Sequence, residues 1–145
     1  MKVFLGGTCN NSKWRDDLIS TLRIDYFNPI VDDWNAAAQQ REVEEKENSE
    51  YLLYVITPKM KGVYSIAEVI DDSNKNPDKT IFCILNKDDK SEFDEDQLKS
   101  LNAIGKMVEE NGATWVKDFD ELGTVLNSKA GITERIKFSS YINKE

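Results

Sequence analysis

The sequence predicts an α/β fold in which a parallel sheet is covered by helices on both faces. Two observations carry this. Residues 51–57 (Tyr-Leu-Leu-Tyr-Val-Ile-Thr) and 80–85 (Thr-Ile-Phe-Cys-Ile-Leu) are almost continuously apolar, the pattern of strands buried on both sides. Longer amphipathic stretches lie between such runs, and regular strand–helix alternation is the mark of a parallel sheet.

In chain order, residues 2–5 form a first strand, ended by Gly6-Gly7-Thr8. Trp14, Leu18, Ile19 and Leu22 recur at helical spacing, which predicts a helix over 12–22. Residues 25–27 form a short second strand closed by the turn signal Asn28-Pro29. A helix follows over 36–48, with a middle made mostly of Gln and Glu. The third strand, 51–57, stops at Pro58, and a helix is predicted over 65–73. After the fourth strand, 80–85, the acidic loop 88–96 reads as solvated. Asp94 can cap a helix with Leu98, Leu101, Ile104 and Val108 on one face, which stops at Asn111-Gly112. Residues 113–116 give a fifth strand and 119–126 a last helix. Five such strands suit the flavodoxin-like doubly wound order 2-1-3-4-5.

Composition bounds the function. The chain has 145 residues, 39% apolar and 32% charged, and is read as one domain with a C-terminal extension from about 129. Its formal net charge of −8 argues against a nucleic acid polymer as partner, since that binding begins with basic side chains neutralising phosphates. No apolar run reaches the roughly 20 residues of a membrane span, and the first strand is too short for a signal peptide. A cytoplasmic protein is expected. Histidine is absent, which excludes histidine-based nucleophile pairs, imidazole metal ligands and histidine pH switches. Cys9 and Cys83 form no C-x-x-C pair, so no metal site is expected, and Cys9 reads as a small apolar filler.

In a doubly wound sheet, ligands bind beyond the carboxyl ends of the strands, at the switch point between strands one and three. Three segments converge there. Gly6, Gly7 and Thr8 form either a plain βα turn or a close backbone approach to a ligand. Asp32, Asp33 and Trp34 offer hydrogen-bond acceptors beside an indole that can stack on a base; the structural alternative is a helix cap, from Asp33 or Asn35. Ser65-Ile66-Ala67-Glu68 has the spacing of a capping box, with Ser65 as N-cap. The same spacing puts the Glu68 carboxylate on the first helical turn at the cleft mouth, where it could act as a nucleophile. The run Glu42, Glu44, Glu45, Glu47 and Glu50 reads mainly as a solvated helix face.

Taken together, "VFLGGT", "FNPIVDDW" and "GVYSIAEV" resemble, in order and spacing, the nucleoside 2-deoxyribosyltransferase family, over roughly residues 1–85. The resemblance implies a flavodoxin-like homo-oligomer that transfers deoxyribose between bases through a glutamate nucleophile. Glu68 matches that glutamate, although Val69-Ile70 follows it where the family often has Leu or Ile and then Gly. Glu44 falls near a family position that carries an acidic active-site residue. Gly6–Thr8 and Asp32–Trp34 match the loops that enclose the nucleoside. The family also draws a polar residue for the sugar 5′ group from a neighbouring subunit, and a 5′ hydroxyl and a 5′ phosphate are both open here.

The expected activity is therefore cleavage or transfer of the N-glycosidic bond of a nucleoside or nucleoside monophosphate, with no cofactor. Two displacements would retain configuration. Glu44 or one of Asp32 and Asp33 would protonate or position the base. A non-catalytic nucleotide-binding protein using the same cleft is the alternative, and cleavage of a dinucleotide is a third use of the fold. A phospho-acceptor receiver domain is excluded, because Thr57-Pro58 stands where its aspartate belongs. The C-terminal Ile136, Phe138 and Tyr141 have no evident place in a five-strand domain and point to a subunit interface or to a cover for the sheet edge.

Overall fold

Five strands pair side by side, all parallel, in the computed structural model, which describes residues 1–31 and 34–131. The chain runs β1 (Lys2–Gly7), α1 (Trp14–Ile19), β2 (Asp25–Phe27), α2 (Ala36–Asn48), β3 (Tyr51–Ile56), α3 (Tyr64–Lys75) and β4 (Thr80–Ile84). A two-strand hairpin, β5 (Lys87–Asp88) and β6 (Ser91–Glu92), precedes α4 (Glu95–Glu110) and β7 (Thr114–Trp115). A 3-10 turn at Phe119–Glu121 leads into α5 (Leu122–Lys129). The sheet order is β2-β1-β3-β4-β7, the doubly wound order that the sequence predicts once the inserted hairpin is set aside.

Alternation along the strands sorts their side chains into two cores. Val3, Leu5, Leu53, Val55, Ile81 and Cys83 face α1 and α5, where Trp14, Leu18, Leu122 and Leu126 are buried. Phe4, Leu52, Tyr54, Ile56, Phe82 and Ile84 face the other way, onto Val69 of α3 and Leu101 and Val108 of α4. Burying strands on both faces is what makes their sequences continuously apolar. α2 buries no side chain and is held at its start by Asn35, whose side chain accepts from the Ala38 N–H at 2.8 Å.

Several elements differ from the expected ones. β1 runs on through Gly6 and Gly7, and the last helix starts at Leu122 after a 3-10 turn and runs to Lys129. Three further differences have visible causes. α1 is shorter: Ser12 lies ahead of it, its hydroxyl donating to Asp88 at 2.5 Å and accepting from the Trp14 N–H at 3.3 Å. At the other end, Thr21 and Leu22 bond back only three residues. The loop expected to be solvated folds into the β5–β6 hairpin, and its Asp88 is buried. α3 begins one residue early, at Tyr64 with Val63 as N-cap and no side-chain cap. Ser65 is thus the second residue of the helix, and the expected capping box does not form. Asp94, by contrast, forms a full capping box with Gln97. Asp32 and Asp33, and the extension carrying Ile136, Phe138 and Tyr141, lie outside the described residues. No helix among the described residues is long and apolar enough to cross a membrane.

Candidate active site

The carboxyl ends of β1 and β3 open into a cavity of about 590 Å³, a size suited to a small organic ligand. Its floor is Gly6, Gly7 and Thr8. These residues pack backbone to backbone against β3: a Cβ on Gly7 would lie 2.1 Å from the Val55 carbonyl oxygen, and Gly7 has φ +115°. No other residue type fits there without moving a strand. Thr8 is buried, and its Oγ1 accepts from the Thr57 N–H at 3.0 Å, which ties the two strand ends together.

Arg15, on α1, fixes the loop from below. Its Nε donates to the Leu5 carbonyl at 3.0 Å, Nη1 to Thr8 at 2.7 Å and Nη2 to Gly7 at 3.3 Å. The Trp14 indole N–H donates to the same Thr8 carbonyl at 2.7 Å. Burial lowers the pKa of the Arg15 guanidinium to about 10, and it still carries positive charge into the cavity lining at neutral pH. Nothing in a local reading of the sequence marks Arg15; only the carbonyls that turn toward it in the fold do so.

The opposite wall carries the acids. Glu68 of α3 lines the cavity beside Ser65. Glu68 sits in the second turn rather than the first, away from the helix N-terminus, and pairs with Lys46 of α2, Nζ to Oε2 at 3.3 Å. Facing it from α2 is Glu42, whose carboxyl is raised above the ordinary glutamate range, first by burial and then by the Glu68 charge. A carboxyl group that holds its proton more tightly than usual can serve as a general acid, here beside a second carboxyl group paired to a cation.

Glu44 stands elsewhere. It is exposed and accepts from Gln40 Nε2 at 3.1 Å, because two residues on from Glu42 is about 200° around the helix. Glu42 was readable in principle: Ala38, Glu42 and Lys46 recur at the helical period on the less exposed side of α2. Trp34, 55% exposed, lines the cavity mouth with Ile30, Val31 and Tyr64. Cys9 is exposed and lines the cavity too, so it is a cleft thiol rather than an apolar filler. Among the described residues no group of three His, Cys, Asp or Glu side chains is placed to hold a metal ion.

This arrangement coincides with a comparison of the sequence with known families. Residues 1–87, from β1 through β4 and so all of the cavity lining, match the model of the family described as nucleoside 2-deoxyribosyltransferase like. The chain belongs to that family. No curated protein and no solved structure matches it. Family membership supports a nucleoside deoxyribosyltransferase-like function and a nucleoside as the small molecule bound.

Proposed function

We propose that this protein breaks the N-glycosidic bond of a 2′-deoxynucleoside, or of its 5′-monophosphate, through a covalent intermediate on Glu68. The observation that carries the reading is the convergence of Glu42 and Glu68 on one cavity at the switch point, Glu42 with a raised proton affinity and Glu68 paired to a cation. One Glu68 oxygen forms a bond to C1′ as the C1′–N bond breaks, its electron pair passing to the base nitrogen. Glu42 gives that base a proton. A second base, or water, then attacks C1′, the electrons of the ester bond return to Glu68, and the proton of the incoming group passes to Glu42. Two inversions give net retention.

The remaining lining residues fit the same substrate. Trp34 and Tyr64 present aromatic faces on which a base can stack. The Gly6–Thr8 backbone allows close approach, with Ser65 beside Glu68 as a hydroxyl partner. Asp32 and Asp33 belong to the same loop as Trp34, and we assign them to binding the nucleoside. Chromatography of the protein incubated with a panel of purine and pyrimidine 2′-deoxynucleosides and 5′-monophosphates, with and without a free acceptor base, tests the reading. Free base or an exchanged nucleoside is the expected product. Tight binding without either would mean that the cavity senses nucleotides instead of turning them over.

A further inference from the structure

Glu68 is one end of a chain of polar groups that runs into the protein between α2, α3 and β3. Lys46 Nζ lies 3.3 Å from Glu68 Oε2 and 2.8 Å from Asp72 Oδ2. Asp72, one helical turn beyond Glu68, is buried and accepts the Tyr54 hydroxyl at 2.5 Å on the same Oδ2. Tyr54 itself is fully buried, and its ring lies 5.7 Å from the Lys46 ammonium. Lys46 is outside the cavity lining. A buried aspartate held by a tyrosine would be an odd use of core space if its task were only to neutralise a surface lysine. Its position instead fixes where the ammonium sits, and the ammonium in turn fixes Glu68.

We propose that Lys46 is a positioning residue for the Glu68 nucleophile, anchored by Asp72 and Tyr54. This rests on the reading of Glu68 given above. Lys46 engages Oε2 and so leaves Oε1 to meet C1′. When the ester forms, Glu68 loses its negative charge and Asp72 remains to balance the ammonium. When the ester breaks, the electron pair returns to a carboxylate already next to a cation, which makes Glu68 a better leaving group. Lys46 keeps its protons throughout. Burial pulls the ammonium toward neutrality, but the hydrogen bond and charge of Asp72, with Glu68, more than reverse this and keep it charged. Among the described residues, the other charged and titratable groups that line the cavity with Glu68 are Glu42, Arg15, Cys9 and Tyr64.

Steady-state kinetics of Lys46→Met and Lys46→Arg, with the best deoxynucleoside of the panel, test this. A misplaced nucleophile costs about a hundredfold in rate while the cavity stays intact. Lys46→Met is therefore expected to lose kcat about a hundredfold, with KM within about twofold of the parent. Lys46→Arg, which keeps a cation between the two carboxylates, is expected to recover most of the loss. If Lys46→Met does not fold because Asp72 is left uncompensated, the double variant Lys46→Met/Asp72→Asn removes both charges, keeps an acceptor for Tyr54, and is expected to show the same kcat loss. An active parent with an unchanged kcat in the folded variant, or with losses confined to KM, overturns the role of Lys46 alone. A parent without glycosyl transfer or hydrolysis overturns the reading of Glu68, and the role of Lys46 with it.

Discussion

At the scale of single residues, the polar contact that Glu68 has to lose among the described residues is the ion pair with Lys46, in which both side chains are about one-fifth exposed. Glutamine still offers that ammonium an oxygen, and Asp72 still neutralises it. Glu68→Gln should thus melt within about 1 kcal/mol of the parent in denaturant titration. Glycosyl turnover should fall by orders of magnitude, because an amide has no negative charge with which to attack C1′. Glu42 makes a prediction about pH. Burial and the Glu68 charge raise its carboxyl, so it keeps a proton at pH values where an ordinary glutamate has lost it. A rate that needs this proton falls as pH rises through the raised value. In Glu42→Gln, a pH–rate profile should show a lower rate and no such basic limb. That Glu68 lines the cavity was legible from its place after the third strand. Glu42 was legible only through its period with Ala38 and Lys46, because on composition it is one of several glutamates in a polar helix, and the side of α2 it shares with Lys46 distinguishes it from Glu44.

At the scale of elements, the strands were legible because two-sided burial leaves little choice of residue, and α2 was placed residue for residue by its polar boundaries. α3 was misread at its start. Ser65 and Glu68 have the right spacing for a capping box, but Ile66 N–H already bonds to the Val63 carbonyl at 3.0 Å, so the first turn closes before Ser65 can cap it. The hairpin at β5 and β6 was hidden for a different reason: the partners of Asp88, Ser12 and Lys59, are 76 and 29 residues away in the chain. Two substitutions separate scaffold from site. Asp94→Ala removes the side-chain acceptor of the Gln97 N–H in the α4 capping box, leaves the residue-94 N–H free to donate to Gln97 Oε1, and should cost about 1 kcal/mol by thermal or chemical denaturation with turnover unchanged. Gly7→Ala drives a methyl group into the Val55 backbone and holds alanine at φ +115°. It should cost about 3 kcal/mol or more and also weaken nucleoside binding, since the cavity floor must shift.

The whole molecule follows from its topology: a doubly wound sheet puts the chemistry at the β1/β3 switch point, and the cavity is there. That much needed no motif. The mouth is less complete than the floor, because Ile30, Val31, Trp34 and Tyr64 are each 47% exposed or more around it. Together with the oligomeric habit implied by the family resemblance, this predicts a dimer or larger assembly at micromolar concentration by sedimentation or light scattering; a monomeric mass would contradict it. The claim on which the rest depends is the covalent bond at Glu68, and it can be seen directly. The parent protein is mixed with a 2′-deoxynucleoside substrate, quenched in acid during turnover, digested and analysed by mass spectrometry. The account predicts a deoxyribosyl adduct on the peptide containing Glu68, absent from Glu68→Gln. Continued turnover by Glu68→Gln at the parent rate, or an adduct on another residue, would contradict it.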